Sequence, residues 1–163
     1  MVDWQTFADS EPKLAGIGAE AFDRTGLIVL GTIRRDGSPR ISPVEHMFLE
    51  GQLLLGMMHR STKALDLLRD PRCTVHATVS NKDGHSDPEF KLNGRAVDVA
   101  DPALRQAYGD RWWELSQWRP PEPYHLFAID IESASYVRFE EGTGRQHTWT
   151  WPTGGQRVMR EGN

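Results

Sequence analysis

The sequence predicts a mainly β, α+β protein whose strands form an antiparallel barrel or sandwich. Short runs of aliphatic and β-branched residues follow one another between residues 27 and 139, and most are joined by turn signals. The few helical patterns lie between strands and do not alternate with them regularly, which disfavours a parallel sheet. A length of 163 residues fits one domain, 1–163. Within it we expect an N-terminal helical segment, 1–23, and a C-terminal hairpin, 145–160.

The N-terminal half begins with a helical pattern and continues as strands. Apolar residues recur every three to four positions over 3–23, which predicts helix, and Pro12 breaks it. Asp36-Gly37 is a strong hairpin signal between the first two strands. Pro43 requires an edge position, a bulge or a missing ladder bond in the second. The first three strands are expected to form an antiparallel meander. The predicted strands are 27–33, 39–49, 52–58, 73–79, 90–99, 126–131 and 135–139.

Two further helices are marked by their ends. The residues from Ser61 to Asp70 follow a helical period that stops before Pro71. Asp101 followed by Pro102 is a typical helix start, and that helix is expected to run to about residue 118. After it, 148–151 and 156–160 flank a Pro-Thr-Gly-Gly turn and predict the terminal hairpin.

Composition excludes several classes of function. Nineteen Lys and Arg against 23 Asp and Glu give a net charge of −4, which argues against general nucleic-acid binding. The single Cys73 cannot form a disulfide within the chain, and the six His lack metal-ligand spacing, so no metal site is expected. No run approaches the roughly 18 apolar residues of a membrane span, and no signal peptide is recognisable. We therefore expect a cytoplasmic protein without a membrane partner.

Residues 59–64 carry the strongest chemical signal. Ser61 or Thr62 can cap the helix that follows, and the first turn of a helix favours an anion. Arg60 and Lys63 add two cations there, as in a phosphate site. Arg40 becomes a third cation if the second and third strands pair as a hairpin. The alternative is an ordinary helix cap with solvated charges.

Ser42, Pro43 and Val44 form the second feature. A proline inside a strand leaves neighbouring backbone outside the ladder, where it can hydrogen-bond to the edge of a flat heterocycle. The alternative is an edge strand that proline protects from aggregation.

These segments, taken in order, resemble the pyridoxamine 5′-phosphate oxidase-like, flavin-binding split-barrel superfamily. The resemblance covers residues 20–140. It rests on four runs: GSPRISPV at 37–44, GMMHRSTKA at 56–64, LRDPR at 68–72 and NGRA at 93–96.

The resemblance implies a six-stranded antiparallel split β-barrel with flanking helices, and a homodimer with two flavins at its interface. In that family, the residues at the positions of Arg40, Ser61 and Lys63 hold the flavin phosphate. The 42–44 stretch and the strand end at 57–58 border the ribityl chain and the ring. The expected cofactor-binding residues are Arg40, Ser42, Pro43, Val44, Met57, Met58, His59, Arg60, Ser61, Thr62 and Lys63.

The sequence also departs from the oxidase proper. In the oxidase, a glutamine on the strand that corresponds to residues 89–94 contacts the flavin, and the nearest position here is Glu89. The oxidase also ends with an Arg-x-His segment that binds the substrate phosphate, whereas this chain has Arg157 after Trp151 and no such segment. Vitamin B6 oxidation is therefore not expected. We expect an FMN-binding oxidoreductase of unknown substrate, with no catalytic residue named. The alternatives are an F-420 deazaflavin-dependent reductase, a non-catalytic FMN or haem binder, and an interaction module with an empty site.

Five of the six Trp residues are interpreted by their position in the predicted elements. Trp149 and Trp151 share one strand face, which we expect to pack on a partner subunit or over a cofactor ring. Trp112, Trp113 and Trp118 belong to the helix after Asp101 and are expected to serve core or dimer packing.

Overall fold

The computed structural model describes residues 1–82 and 86–159. Its helices are α1 (Trp4–Ser10), α2 (Pro12–Asp23), α3 (Thr62–Arg69) and α4 (Pro102–Ser116). Its strands are β1 (Leu27–Ile33), β2 (Pro39–Glu45), β3 (Met47–Leu49), β4 (Gln52–Met58), β5 (Arg72–Ala77), β6 (Glu89–Asp98), β7 (Tyr124–Phe139), β8 (Gln146–Trp151) and β9 (Gly155–Met159). The mainly antiparallel β prediction is confirmed. Arg160, at the end of the predicted hairpin, lies outside the described residues.

The described strands form one antiparallel sheet in the order β2-β1-β5-β6-β7-β4-β3, and β8 and β9 extend it beside the second half of β7. That is nine strands rather than six, because the short β3 and the terminal hairpin join the six main strands. Strand β7 spans 16 residues where the sequence predicted two segments. It continues because β6 pairs along most of its length, and a register shift after Asn93 absorbs the irregularity.

The predicted meander of the first three strands is confirmed in part. The predicted second strand pairs with β1 through residues 39–45 and with β4 through residues 47–49, but it breaks at His46. β2 pairs with β1 over its whole length, whereas the ladder partners of β4 are β3 and β7. Pro43 lies on this edge strand, opposite Val29, as its missing N–H predicted. The chain leaves β2 at His46, so β2 and the last residues of β4 separate. The resulting split opens beside the start of α3.

The core lies between the sheet and the two N-terminal helices. Phe7, Leu14 and Phe22 are fully buried against it, and the helix break at Pro12 is as predicted. Cys73 is buried, as expected for a core residue of β5.

The expectation for the tryptophans of β8 needs correction. Trp149 and Trp151 pack against the core of their own chain, and the rings of Trp151 and Phe7 lie 5.1 Å apart in an edge-to-face arrangement. They do so because Trp151 pairs with Ala134, whose side chain points into the core. The core of the same chain therefore covers part of this face, and both side chains are half-buried.

Helix α4 packs on the other end of β4 and β7. Asp101 caps it by accepting a hydrogen bond from the backbone N–H of Ala103, as predicted. The helix ends two residues before Trp118, because Gln117 takes a left-handed conformation with φ of 58°. Trp112 packs in a second buried cluster around Tyr108.

Candidate functional site

The turn between β4 and α3 presents the start of a helix to the split. Arg60 has a left-handed backbone with φ of 56°, and the N–H of Ser61 donates to the carbonyl of Met58 at 3.1 Å. Ser61 then occupies the position that caps α3. The first turn of α3 thus begins at the point where β2 and β4 separate.

The hydroxyl of Ser61 makes no hydrogen bond to the described residues. Its side chain makes no capping hydrogen bond to α3, and its Oγ is buried without a hydrogen-bond partner among the described residues. Buried hydroxyls are nearly always paired, so this atom is suited to an acceptor from outside the chain. The N–H groups of the first turn of α3 lack partners within the helix and favour an anion.

Lys63 brings a partly desolvated cation to the same place. Its Nζ lies 3.4 Å from the carbonyl oxygen of Pro43, so its side chain spans the split from α3 to β2. Burial lowers the pKa of the Lys63 ammonium below its ordinary 10.5, and no carboxylate pairs with it among the described residues. An anion placed here would offset that cost of burial.

A cleft of about 330 Å³ occupies the split; we call it the split cleft. Its walls combine β2, the end of β4 and Lys63. Met57 is buried, whereas Met58 is 78% exposed. The lining residues are Leu27, Pro43, Val44, Glu45, Gly56, Met57, Met58 and Lys63. Five of the predicted cofactor residues thus line one cleft.

Asp66 anchors α3 to the sheet and accepts one hydrogen bond from Arg40. This buried carboxylate accepts from Arg40 Nε at 2.6 Å, from Arg69 Nη2 at 3.1 Å and from Thr32 Oγ1 at 3.1 Å. Burial by itself raises the pKa of Asp66, but the hydrogen bonds from the two arginines and Thr32 outweigh it and leave the pKa below its ordinary value. Arg40 therefore contacts the middle of α3 through Asp66, with one of its five N–H donors committed to that carboxylate.

The other predicted residues lie around the split cleft without lining it. Thr62 and Arg40 line a neighbouring basic concavity of about 510 Å³. Arg60 is exposed, and Ser42 is half-buried on β2. His59 lines a second cleft, between β4 and α4.

Three residues that the sequence analysis did not single out belong to this region. Glu45 lines the split cleft, Asp66 anchors Arg40, and His125 stacks on His59 with ring centroids 5.3 Å apart. The Nε2 of His125 accepts the backbone N–H of Arg60 at 3.2 Å. The sequence could have indicated Asp66, because it is a charged residue within an apolar helical period. Glu45 and His125 could be assigned to the region only once the strand pairing was known.

Two residues weighed as cofactor contacts lie elsewhere in this chain. Glu89 is exposed in a depression beside Val137. Arg157 donates from Nε to the carbonyl of Gly154 at 3.3 Å. Within residues 1–82 and 86–159, no group of three or more metal-ligating side chains comes together. None of the helices in that part of the chain is long and apolar enough to span a membrane.

An antiparallel sheet that is split beside the start of a helix defines a split-barrel protein, and the buried hydroxyl of Ser61 and the ammonium of Lys63 lie at that split. The model of the pyridoxamine 5′-phosphate oxidase family matches residues 19–138, and the chain belongs to this family. A search of curated proteins found no match.

Solved structures share this fold at low sequence identity. A pyridoxamine 5′-phosphate oxidase-related, FMN-binding protein from Nostoc punctiforme matches with a TM-score of 0.65 and 19% identity, covering 91% of this chain and 96% of that one. A protein of the pyridoxinephosphate oxidase family from Clostridium acetobutylicum gives 0.62 and 16%, covering 86% and 96%. A haem-binding protein from Mycobacterium smegmatis gives 0.59 and 20%, covering 81% of this chain and 56% of that one.

Proposed function

We propose that this chain binds FMN in the split cleft and acts as a flavin-dependent oxidoreductase in the cytoplasm, as a homodimer. The observation that carries the proposal is the pairing of two unsatisfied groups at the start of α3. Ser61 Oγ is buried without a partner, and the Lys63 ammonium is partly desolvated without a counter-ion. A phosphate dianion satisfies both.

The phosphate end would be held by Ser61, Lys63 and the N–H groups of the first turn of α3. Arg60 follows β4 at the same turn and adds a solvated cation. Arg40 contributes through N–H donors that Asp66 leaves free, since only its Nε is bonded to that carboxylate.

The ring end would lie along Pro43, Val44 and the end of β4. Pro43 has no N–H, and β2 is an edge strand, so backbone here is free for a heterocycle. Met58 on β4 is 78% exposed and Ile41 on β2 is 73% exposed. Such large apolar side chains favour a second copy of the chain covering this face.

When bound, FMN supplies the redox chemistry, and the protein supplies position and electrostatics. Lys63 keeps a positive charge at the phosphate end. The described residues offer no Arg-x-His segment at the split cleft, so the substrate is not assigned to vitamin B6.

An F-420-type deazaflavin is the second candidate. The concavity beside the split cleft is lined by Arg34, Arg35, Arg40 and Arg69 along with Asp36 and Asp66. Four arginines against two carboxylates leave a basic surface that would accommodate further anionic groups beyond the first phosphate. The Mycobacterium smegmatis neighbour makes haem the third ligand to test.

The test is the visible spectrum of the purified protein, followed by calorimetric titration of the cofactor-free protein with FMN, F-420 and haemin. We expect an oxidised-flavin spectrum and tight FMN binding. Lys63→Ala should weaken FMN binding by about tenfold or more, because a hydrogen bond to a charged group contributes roughly 1.5–3 kcal/mol. Lys13→Ala removes an equal charge from an exposed position on α2 and should change nothing. Tight F-420 binding with weak FMN binding would select the second candidate, and binding of none of the three would reject the proposal.

A further inference from the structure

A second cleft, of about 500 Å³, lies between β4 and α4; we call it the aromatic cleft. Its walls are dominated by aromatic rings and proline. Tyr108 and Trp112 come from α4, Tyr124 from β7, and Trp118 from the segment after α4. Cavities of this size with aromatic walls are typical of small-molecule sites.

The aromatic cleft is held open by rigid parts of the chain. Gln117 reverses the chain, so that Trp118 packs edge-to-face on Trp112 with ring centroids 6.0 Å apart. Pro120, Pro121 and Pro123 then restrict the backbone of the far wall. A site formed in advance loses little entropy on binding.

Gly56 explains how Tyr108 reaches the floor of the aromatic cleft. A Cβ at Gly56 would overlap the Tyr108 hydroxyl, so the close approach of α4 to β4 requires glycine there. Burial raises the pKa of Tyr108 to about 12, with a smaller contribution from the charge of Glu45. Tyr108 therefore stays a neutral wall at physiological pH, and the Glu45 carboxylate lies close enough to influence it.

The charges that line the aromatic cleft are acidic. Glu45 and Glu122 line it, along with His59, and no Lys or Arg does. Arg105 donates to both carboxylate oxygens of Glu122 at 3.3 Å and neutralises it. Glu45 is exposed and has no hydrogen bond or ion pair to the described residues, which leaves one free carboxylate at the rim.

Aromatic faces and a free carboxylate both attract cations. A ring face interacts favourably with an ammonium group within about 6 Å, and a carboxylate provides its counter-ion. A phosphorylated ligand would instead meet the negative charge of Glu45, and Arg105 is already engaged with Glu122 and with the ring of Tyr124. Glu45 lines both clefts, and the charge difference between them is that Lys63 lines the split cleft, whereas no lysine or arginine lines the aromatic cleft.

We propose that the aromatic cleft binds a protonated aromatic amine without a phosphate group. Glu45 is its counter-ion, Trp118 stacks on its ring, and the perpendicular ring of Trp112 contacts its edge. This goes beyond the proposed cofactor function and does not depend on it. Glu45, Gly56, Met57 and Met58 line both clefts, so an amine bound here would lie next to whatever occupies the split cleft.

The test compares three probes of one shape and different charge, by calorimetry on the cofactor-free protein. The probes are 2-naphthylmethylamine, which is protonated at pH 7, the neutral 2-naphthalenemethanol and the anionic 2-naphthoate. We expect the amine to bind about tenfold more tightly than the alcohol, and the naphthoate to bind most weakly. Equal binding of amine and alcohol, or no binding by any probe, would overturn the proposal.

Three variants identify the site. Glu45→Gln should remove the preference for amine over alcohol, and Trp118→Ala should weaken both probes. Trp113→Ala is the matched control, because Trp113 is 46% exposed on α4, is exposed to a similar extent as Trp118, and does not line the aromatic cleft. A preference that survives Glu45→Gln would refute the role of Glu45. Because these titrations contain no FMN, a failure of FMN binding would leave their outcome unaffected.

Discussion

Replacing Asp66 by asparagine removes the charge that joins α3 to the β1–β2 hairpin while keeping the side-chain size. Asp66 is 4% exposed and accepts hydrogen bonds from Arg40, Arg69 and Thr32. Breaking a fully buried ion pair costs about 3–5 kcal/mol. The side chains of Arg40 and Arg69 are 24% and 38% exposed, so both can regain water. We therefore expect a loss of about 2–3 kcal/mol in the free energy of unfolding.

Urea unfolding of the cofactor-free protein measures this loss. With a slope of roughly 2 kcal/mol per molar urea, the midpoint should fall by about 1 M in Asp66→Asn. The difference from wild type should shrink in acid as the pH falls through the pKa of Asp66, which lies below its ordinary value of 3.8, because protonation removes the same charge. Glu114→Gln, in the exposed pair with Arg111 on α4, is the control and should leave the midpoint nearly unchanged. A midpoint unchanged in Asp66→Asn would refute the argument that this carboxylate anchors α3.

Three further predictions concern the Lys63 ammonium, the close approach of Tyr108 to Gly56, and the packing of Trp151 on Phe7. FMN affinity should fall as the pH rises through the pKa of Lys63, which burial holds below 10.5, because the neutral amine no longer attracts the phosphate. Lys63→Arg should move that fall to higher pH. Calorimetry at a series of pH values measures both effects. Gly56→Val should destabilise the protein by about 1–3 kcal/mol in urea, since a Cβ there overlaps Tyr108. Trp151→Ala should lower the free energy of unfolding by about 2–3 kcal/mol through the lost packing on Phe7, and should leave the elution volume in gel filtration unchanged. A change of oligomeric state would instead indicate that this face packs on a partner subunit.

Local signals were enough for elements whose ends are marked in the sequence. The limits of β1, the helix break at Pro12 and the cap at Asp101 were all predicted, because each depends on neighbouring residues alone. The continuity of β7 was missed, since Glu132 and Ser133 interrupt its apolar pattern and pairing with β6 carries the strand through them. The separation of β2 from β4 was missed for the same reason, because β7 competes for β4 from far along the chain.

The candidate site divides in a similar way. Ser61 and Lys63 could be predicted because both lie in the first turn of one helix. The hydrogen bond from Arg40 to Asp66 could not be predicted, because 26 residues separate them and the contact forms only once α3 packs on the β1–β2 hairpin. The place of Glu45 between two clefts likewise depends on how α4 and β4 pack, which no local pattern records.

The ratio of the FMN affinity to the riboflavin affinity reports directly on the phosphate site at the start of α3, because the two ligands differ only in the phosphate. If the start of α3 holds that phosphate, wild type should prefer FMN by at least about a hundredfold, the value of two hydrogen bonds to a charged group. Lys63→Ala combined with Ser61→Ala should reduce this preference to a few-fold by weakening FMN binding and leaving riboflavin binding unchanged. If wild type binds riboflavin as tightly as FMN, the start of α3 does not hold the phosphate and the proposed site is wrong.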